Sequence, residues 1–127
     1  MAETATQAQV TGLIPMAHAD VRRSVDFYKL LGMELRGTLK TSSGEMQWAH
    51  IGCEQAELMF ARSGEPVVPS QQAVLFYRYS LNLVALREHL ISAGVGVSPI
   101  TYPNYMPNGE VRVEDPDGYV LLIGQAG

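Results

Sequence analysis

The run Asp20-Val21-Arg22-Arg23-Ser24-Val25-Asp26-Phe27-Tyr28, followed by Leu31-Gly32-Met33, decides how this chain folds, because a degenerate copy of it returns later. The copy reads Asn82-Leu83-Val84-Ala85-Leu86, then Ala93-Gly94-Val95. Asp20 and Asn82 are 62 residues apart, and so are Gly32 and Gly94. Each copy opens on a residue suited to cap a helix and closes on a glycine suited to end one. An apolar run precedes each, Gly12 to Ala19 and Ala73 to Ser80, and extended segments follow. The pattern predicts one β-α-β unit used twice. Duplicated units of this kind enclose a shared ligand cavity more often than two separate sites.

In the first copy, a helix from Val21 to Leu31 places Val25, Tyr28 and Leu31, with Phe27 beside them, on one face. Met33 to Lys40 reads as a strand and Thr41 to Gly44 as a turn. Glu45 to Ile51 and Ala56 to Ala61 read as a hairpin. Residues 63–72, containing Gly64, Pro66 and Pro69, form the linker between copies. The second copy predicts a strand over Ala73 to Ser80, a helix over Leu83 to Ser92, and a strand over Val95 to Ile100. A loop over Thr101 to Asn108 leads to a final hairpin, Gly109 to Val113 with Tyr119 to Ile123. Residues 1–10 are expected to be a loose tail, and Gly124 to Gly127 to fray.

Composition narrows the function. A chain of 127 residues with 46% hydrophobic content makes one domain with one core. Nine basic against thirteen acidic residues, with no Lys/Arg cluster, argue against nucleic-acid and anionic-membrane partners. The single cysteine, Cys53, excludes an intrachain disulfide and suits a reducing cytoplasm. Neither a signal peptide nor an apolar run of bilayer-spanning length is visible.

The quoted residues resemble the vicinal oxygen chelate superfamily, which includes glyoxalases, bleomycin-resistance proteins and extradiol dioxygenases. Asp20, Ser24, Phe27, Tyr28, Leu31 and Gly32 fit its D-x-x-x-S-x-x-F-Y…L-G pattern, and Asp115-Pro116-Asp117-Gly118 fits its last hairpin. Trp48 to Ile51 with Ala56 to Met59 looks like the paired strands that close the first module. The resemblance implies an α+β fold. Two βαβββ modules, residues 11–62 and 73–125, would form a curved mixed sheet around a cavity, with helices on the outer face.

Period-two alternation then assigns faces. Ala49, Ile51, Leu58, Phe60, Val111, Val113, Leu121 and Ile123 suit the helix side. Trp48, His50, Glu57, Met59, Glu110, Arg112, Val120 and Leu122 are left facing the cavity. Leu75, Tyr77 and Tyr79 share a phase that turns Arg78 toward the helices. The metal enzymes of the resembled family take ligands at positions that map to Leu13, Leu75, Met59 and Leu122. None of these offers a nitrogen or oxygen donor. Moving the first strand by one residue substitutes Ile14, which is no better. The chain thus resembles the metal-free, bleomycin-resistance-like members, and no cofactor is expected. A divalent metal on His18, His50 and Glu57 is the alternative.

Trp48, Tyr77, Tyr79, Tyr102 and Tyr105 form an aromatic set suited to flat or cationic ligands, or to packing at an interface. Glu110 and Arg112 are expected to pair with each other, with Glu57 or with a ligand. Trp48 and His50 should face Glu110 and Arg112 across the repeat symmetry. His18 and His50 suit structural hydrogen bonds as well as ligand contact, and His89 a solvated helix face. Cys53 has no basic neighbour to activate it, and tight-turn chemistry accounts for Asp115 to Gly118. The expected ligand-binding set is Trp48, His50, Glu57, Tyr77, Tyr79, Tyr105, Glu110 and Arg112. The function expected is metal-independent binding, or sequestration, of a small aromatic or cationic organic molecule by a homodimer. A metal-dependent lyase, isomerase or dioxygenase and a catalytically silent interaction module are the competing classes.

Overall fold

The computed structural model describes residues 13–127; the tail expected over residues 1–10 lies outside them. In chain order the elements are β1 (Met16–Ala19), α1 (Val21–Lys29), β2 (Glu34–Lys40), β3 (Met46–Cys53) and β4 (Ala56–Arg62). A short 3-10 turn at Pro69–Gln71 precedes β5 (Leu75–Ser80), α2 (Leu83–Ser92), β6 (Glu110–Glu114) and β7 (Val120–Gln125). The first sheet has strand order β1-β4-β3-β2 and the second β5-β7-β6, each with one parallel pair beside antiparallel ones. The architecture is α+β, two mixed sheets and two helices, as expected. Among the described residues no helix is long and apolar enough to cross a membrane.

The helices form where the capping pattern places them. The Asp20 carboxylate accepts from the backbone N–H of Arg23 at 3.3 Å, and Asn82 caps α2 through Ala85 at 3.1 Å. Each bond satisfies a donor that the first helical turn leaves open. Val21, Ser24, Val25 and Tyr28 recur at helical spacing and are buried against the first sheet, together with Phe27. Gly32, at φ 82°, then supplies the left-handed residue that ends the helix. Alternation behaves as predicted: Ala49, Ile51, Leu58, Phe60, Val111, Val113, Leu121 and Ile123 are all buried on the helix side.

Three expectations are corrected. The strand over Val95 to Ile100 does not form. Only two isolated bridges remain, Val97 with Val113 and Thr101 with Glu110. Between those bridges three residues, Ser98 to Ile100, oppose two on β6, Val111 and Arg112, a bulge centred on Pro99, which has no N–H to give. The Ser98 hydroxyl compensates by accepting from the Arg112 N–H at 2.8 Å. The expected fraying from Gly124 does not occur either, since β7 runs to Gln125. Its side chain bonds the Leu83 N–H and the Leu81 carbonyl, which ties it to the start of α2. Lastly, the 62-residue offset holds for the caps but not for the strands before them. Asp20 follows β1 directly, whereas Leu81, 90% exposed, intervenes between β5 and Asn82. Met16 and His18 therefore share the phase of Leu75, Tyr77 and Tyr79, and alternation makes Ile14, not Leu13, the counterpart of Leu75.

The two halves are joined by the motifs that mark them. Asp117 accepts from the Asp20 N–H and the Ser24 hydroxyl, both at 3.1 Å, and so caps α1 from the other half of the chain. The Asp115 carboxylate accepts from the Tyr28 hydroxyl at 2.9 Å and from the backbone N–H groups of Asp117 and Tyr119. The Tyr119 hydroxyl donates to the His18 carbonyl at 3.0 Å. The turn at Asp115 to Gly118 is therefore more than a tight reversal. Pro69 lies where a side chain on Gly118 (φ 85°) would sit, so the linker closes over the same turn.

Candidate functional site

Opposite the helices, each sheet presents a face of aromatic and charged side chains. On the first, Trp48 and His50 of β3 stand beside Glu57 and Met59 of β4 and Met16 and His18 of β1, as the ladder register requires. The His50 Nε2 lies 3.0 Å from the Glu57 Oε1, and the Arg36 Nη1 lies 3.4 Å from that same oxygen. The Trp48 and His50 rings are 6.3 Å apart between centroids. Two glycines make this arrangement possible. A side chain on Gly37 would touch the Trp48 ring, and one on Gly52 would occupy the space of the Arg36 guanidinium. Arg36 was not among the expected site residues. It reaches this face through the register shift between Leu35 and Gly37, for which Gly37 was the only signal in the sequence.

The second face is built around Glu110. Its Oε2 accepts from the Tyr77 hydroxyl and its Oε1 from the Tyr105 hydroxyl, each at 2.7 Å. That carboxylate bond, more than desolvation, pushes the Tyr105 phenol above its ordinary range. Desolvation and then the same carboxylate act on Tyr77 in the same direction. Gly124 floors the cluster, because a side chain there would meet the Tyr77 hydroxyl at 2.7 Å and the Met106 methyl at 2.8 Å. Tyr79 packs beside Tyr77, with centroids 5.3 Å apart.

Arg112 projects from the same face but pairs with Glu114 at 3.2 Å, not with Glu110 or Glu57 as expected. Charge spacing explains the choice: Glu114 is the next residue of the same phase, while both Glu110 oxygens already hold phenols. The pairs Trp48/His50 and Glu110/Arg112 make no hydrogen bond to one another. Arg78 turns to the helix side, as its strand phase predicts. There it donates to the Leu31 carbonyl at 2.9 Å, an acceptor that the end of α1 leaves open. Tyr102 is exposed, and His89 lies on the solvated face of α2.

Glu57 and Tyr77, one from each cluster, line a common cleft of about 280 Å³ at the junction of the two sheets, with Pro15, Met33, Leu75 and Phe76. A larger cleft of about 390 Å³ lies at the start of α1, lined by Asp20, Arg22, Glu45 and Arg62, and contains none of the aromatic set. The Arg62–Glu45 ion pair at 2.8 Å sits within it. Of these two clefts, the smaller is the one that adjoins the aromatic and charged side chains of the two sheet faces.

The positions mapped to the family's metal ligands carry Leu75, Met59, Leu122 and, in the corrected register, Ile14. Hydrocarbon and thioether side chains are not donors for hard or borderline divalent ions. Among the described residues, no three His, Cys, Asp or Glu side chains come together in a metal-holding group. His50 and Glu57 do meet, but the third side chain at that point is the cation of Arg36, and His18 does not join them. A divalent metal does not fit these residues.

Paired mixed sheets with helices on their outer faces and aromatic, charged side chains on the opposite ones define a duplicated α+β fold. The chain belongs to the Glyoxalase/Bleomycin resistance protein/Dioxygenase superfamily, whose family model matches residues 9–123. Among solved structures it is similar to a bleomycin resistance determinant encoded on the transposon Tn5. That likeness has 16% identity, covers 91% of this chain and 98% of that one, and has a TM-score of 0.69. It is also similar to the bleomycin-binding protein of bleomycin-producing Streptomyces verticillus, complexed with copper(II)-bleomycin (18% identity, coverage 94% and 99%, TM-score 0.66). TnmS3, an antibiotic binding protein from Streptomyces sp. CB03234, is a third (17%, coverage 94% and 99%, TM-score 0.65). At these identities the likeness shows the fold alone. No curated protein matches the chain in sequence.

Proposed function

We propose that the protein binds a small aromatic or cationic organic molecule without a metal, on the faces carrying Trp48, His50, Glu57, Tyr77, Tyr79, Tyr105, Glu110 and Arg112. Sequestration of a toxic compound is the concrete form of this reading. The observation that carries it is the contrast between two sets of positions on the same faces. The metal-ligand positions hold Ile14, Leu75, Met59 and Leu122, whereas the rest of the faces holds aromatic rings and hydrogen-bonded charges. Such surfaces suit stacking with a few orienting polar groups. That similar folds include proteins described as binding bleomycin and another antibiotic supports the ligand class.

Elemental analysis of protein purified without chelators or tag-derived metal tests the first half of this reading. Less than a tenth of an equivalent of Zn, Ni, Mn or Fe per chain is expected, on the order of trace contamination. About one equivalent, lost on His50→Ala, would overturn metal independence and restore the lyase, isomerase or dioxygenase class.

The same reading includes a homodimer in the cytoplasm. Met16, Leu39, Leu75 and Tyr79 are 59%, 58%, 61% and 63% exposed on the ligand-accepting faces, and the edge strands β1, β2 and β5 have unpaired outer sides. A second copy laid over these faces would cover that apolar surface and enclose the site. Sedimentation at micromolar concentration should give twice the 13.9 kDa chain mass; a monomer would remove the dimer from the proposal.

A further inference from the structure

Glu110 is a buried carboxylate that no cation among the described residues neutralises. It is 5% exposed, and among the described residues it forms no ion pair. The nearest candidate on its own strand face, Arg112, is turned to Glu114. Two phenols hold the Glu110 oxygens instead, which offsets part of the desolvation cost but leaves the unit charge in place. Tyr79 stands in the same ladder row, next to Gly124, which in turn pairs with Glu110. The missing side chain of Gly124 is what lets the Tyr77 hydroxyl reach across that row to the carboxylate.

Tyr77, Tyr79 and Tyr105 remain 39%, 63% and 65% exposed, so ring surface is open around the negative charge. Electron-rich rings beside a carboxylate attract an organic cation. The hydrogen bonds decide which kind. A primary ammonium must place three N–H donors, and Glu110, 5% exposed with a phenol already on each oxygen, leaves little open acceptor surface for them among the exposed rings. A methylated ammonium has no such demand and turns its polarised methyl groups to the rings.

We propose that Glu110, Tyr77, Tyr79 and Tyr105 form a subsite for a methylated ammonium group, which makes Glu110 the residue that selects ligands by charge. The subsite rests on the small-molecule reading above and adds to it the charge and substitution of the ligand's head group.

Three probes of graded chemistry test it by amide-shift titration of the isotope-labelled protein: choline, its neutral isostere 3,3-dimethylbutan-1-ol, and ethanolamine. Choline should move the signals of Tyr79, Glu110 and Gly124 saturably, with the other two at least about tenfold weaker. Glu110→Gln, which keeps the side-chain volume, should weaken choline about tenfold or more. Tyr79→Leu lies on the open face, so it tests the ring contribution even if Glu110→Gln fails to fold. It should weaken choline about threefold to fivefold. Equal binding of choline and its neutral isostere, unchanged binding by a folded Glu110→Gln protein, or no response of these residues to any probe would each overturn the subsite. An aromatic ligand that binds through Trp48 while choline does not would sink the subsite and leave the wider reading standing. Absence of any ligand in both experiments would remove both.

Discussion

Asp115→Ala is expected to destabilise the protein by about 3–5 kcal/mol, because it strands several buried donors at once. The Asp115 carboxylate, 5% exposed, accepts from the Tyr28 hydroxyl and from the N–H groups of Asp117 and Tyr119, all at 2.9 Å. Tyr28 is 1% exposed and packs between Phe27 and Phe60, so its hydroxyl has no route to water once the acceptor is gone. Each buried donor left unpaired costs about 1–3 kcal/mol. Tyr28→Phe should be milder, about 1–2 kcal/mol, since Asp115 keeps its two backbone donors. Urea denaturation checks both, and a loss below about 1 kcal/mol for Asp115→Ala would show that the junction between the halves does not depend on this bond.

The same pair sets an alkaline limit. Burial first, and then the Asp115 charge, push the Tyr28 phenol above its ordinary range. A phenol raised on folding contributes stability that is complete below its unfolded value of about 10 and declines above it. In that window the unfolded chain has released a proton that the native state still holds. Tyr28 should therefore contribute a fall of up to about 1.4 kcal/mol per pH unit above pH 10. Tyr28→Phe should make the alkaline fall shallower without abolishing it, because the Tyr77, Tyr105 and Tyr119 phenols are raised as well.

Trp48→Ala should weaken an aromatic ligand about a hundredfold and change stability by less than about 1 kcal/mol. Trp48 lies over Gly37 on the open face, while its strand neighbours Ala49 and Ile51 are the residues buried beneath the helices. Truncation removes stacking area and leaves that core intact. Trp48 is the only tryptophan, so its fluorescence reports binding to the wild type, and calorimetry reports binding to the variant. A confirmed ligand that binds Trp48→Ala unchanged would place the site on another face.

Much of the architecture was legible because it follows from local rules. A capping residue, helical spacing of Val21, Ser24, Val25 and Tyr28, and a glycine at the end specify α1 whatever surrounds it. Alternation in β3, β4, β6 and β7 likewise separates Ile51 from His50 and Val111 from Arg112, because a pleated strand must turn successive side chains to opposite faces. Where register changes, local rules run out. The extra Leu81 before Asn82 moved the first-strand counterpart of Leu75 from Leu13 to Ile14. The bulge at Pro99 removed a strand, and the shift at Gly37 brought Arg36 to Glu57. An insertion or bulge of one residue inverts every face beyond it, and nothing in the composition of the segment records which way it goes.

By itself, then, the sequence determined the two repeated units, their helices, the split between core and open faces, and the absence of metal-donating side chains at the mapped positions. Only the tertiary structure decided who meets whom. Asp115 and Asp117, readable as turn residues, proved to bond Tyr28, Ser24 and Asp20 about ninety residues away. Glu110 took two tyrosines in place of Arg112. Spacing along a chain sets which face a side chain occupies, but the partner of a buried polar group is whichever donor or acceptor packing brings within about 3 Å, and that depends on the whole fold at once.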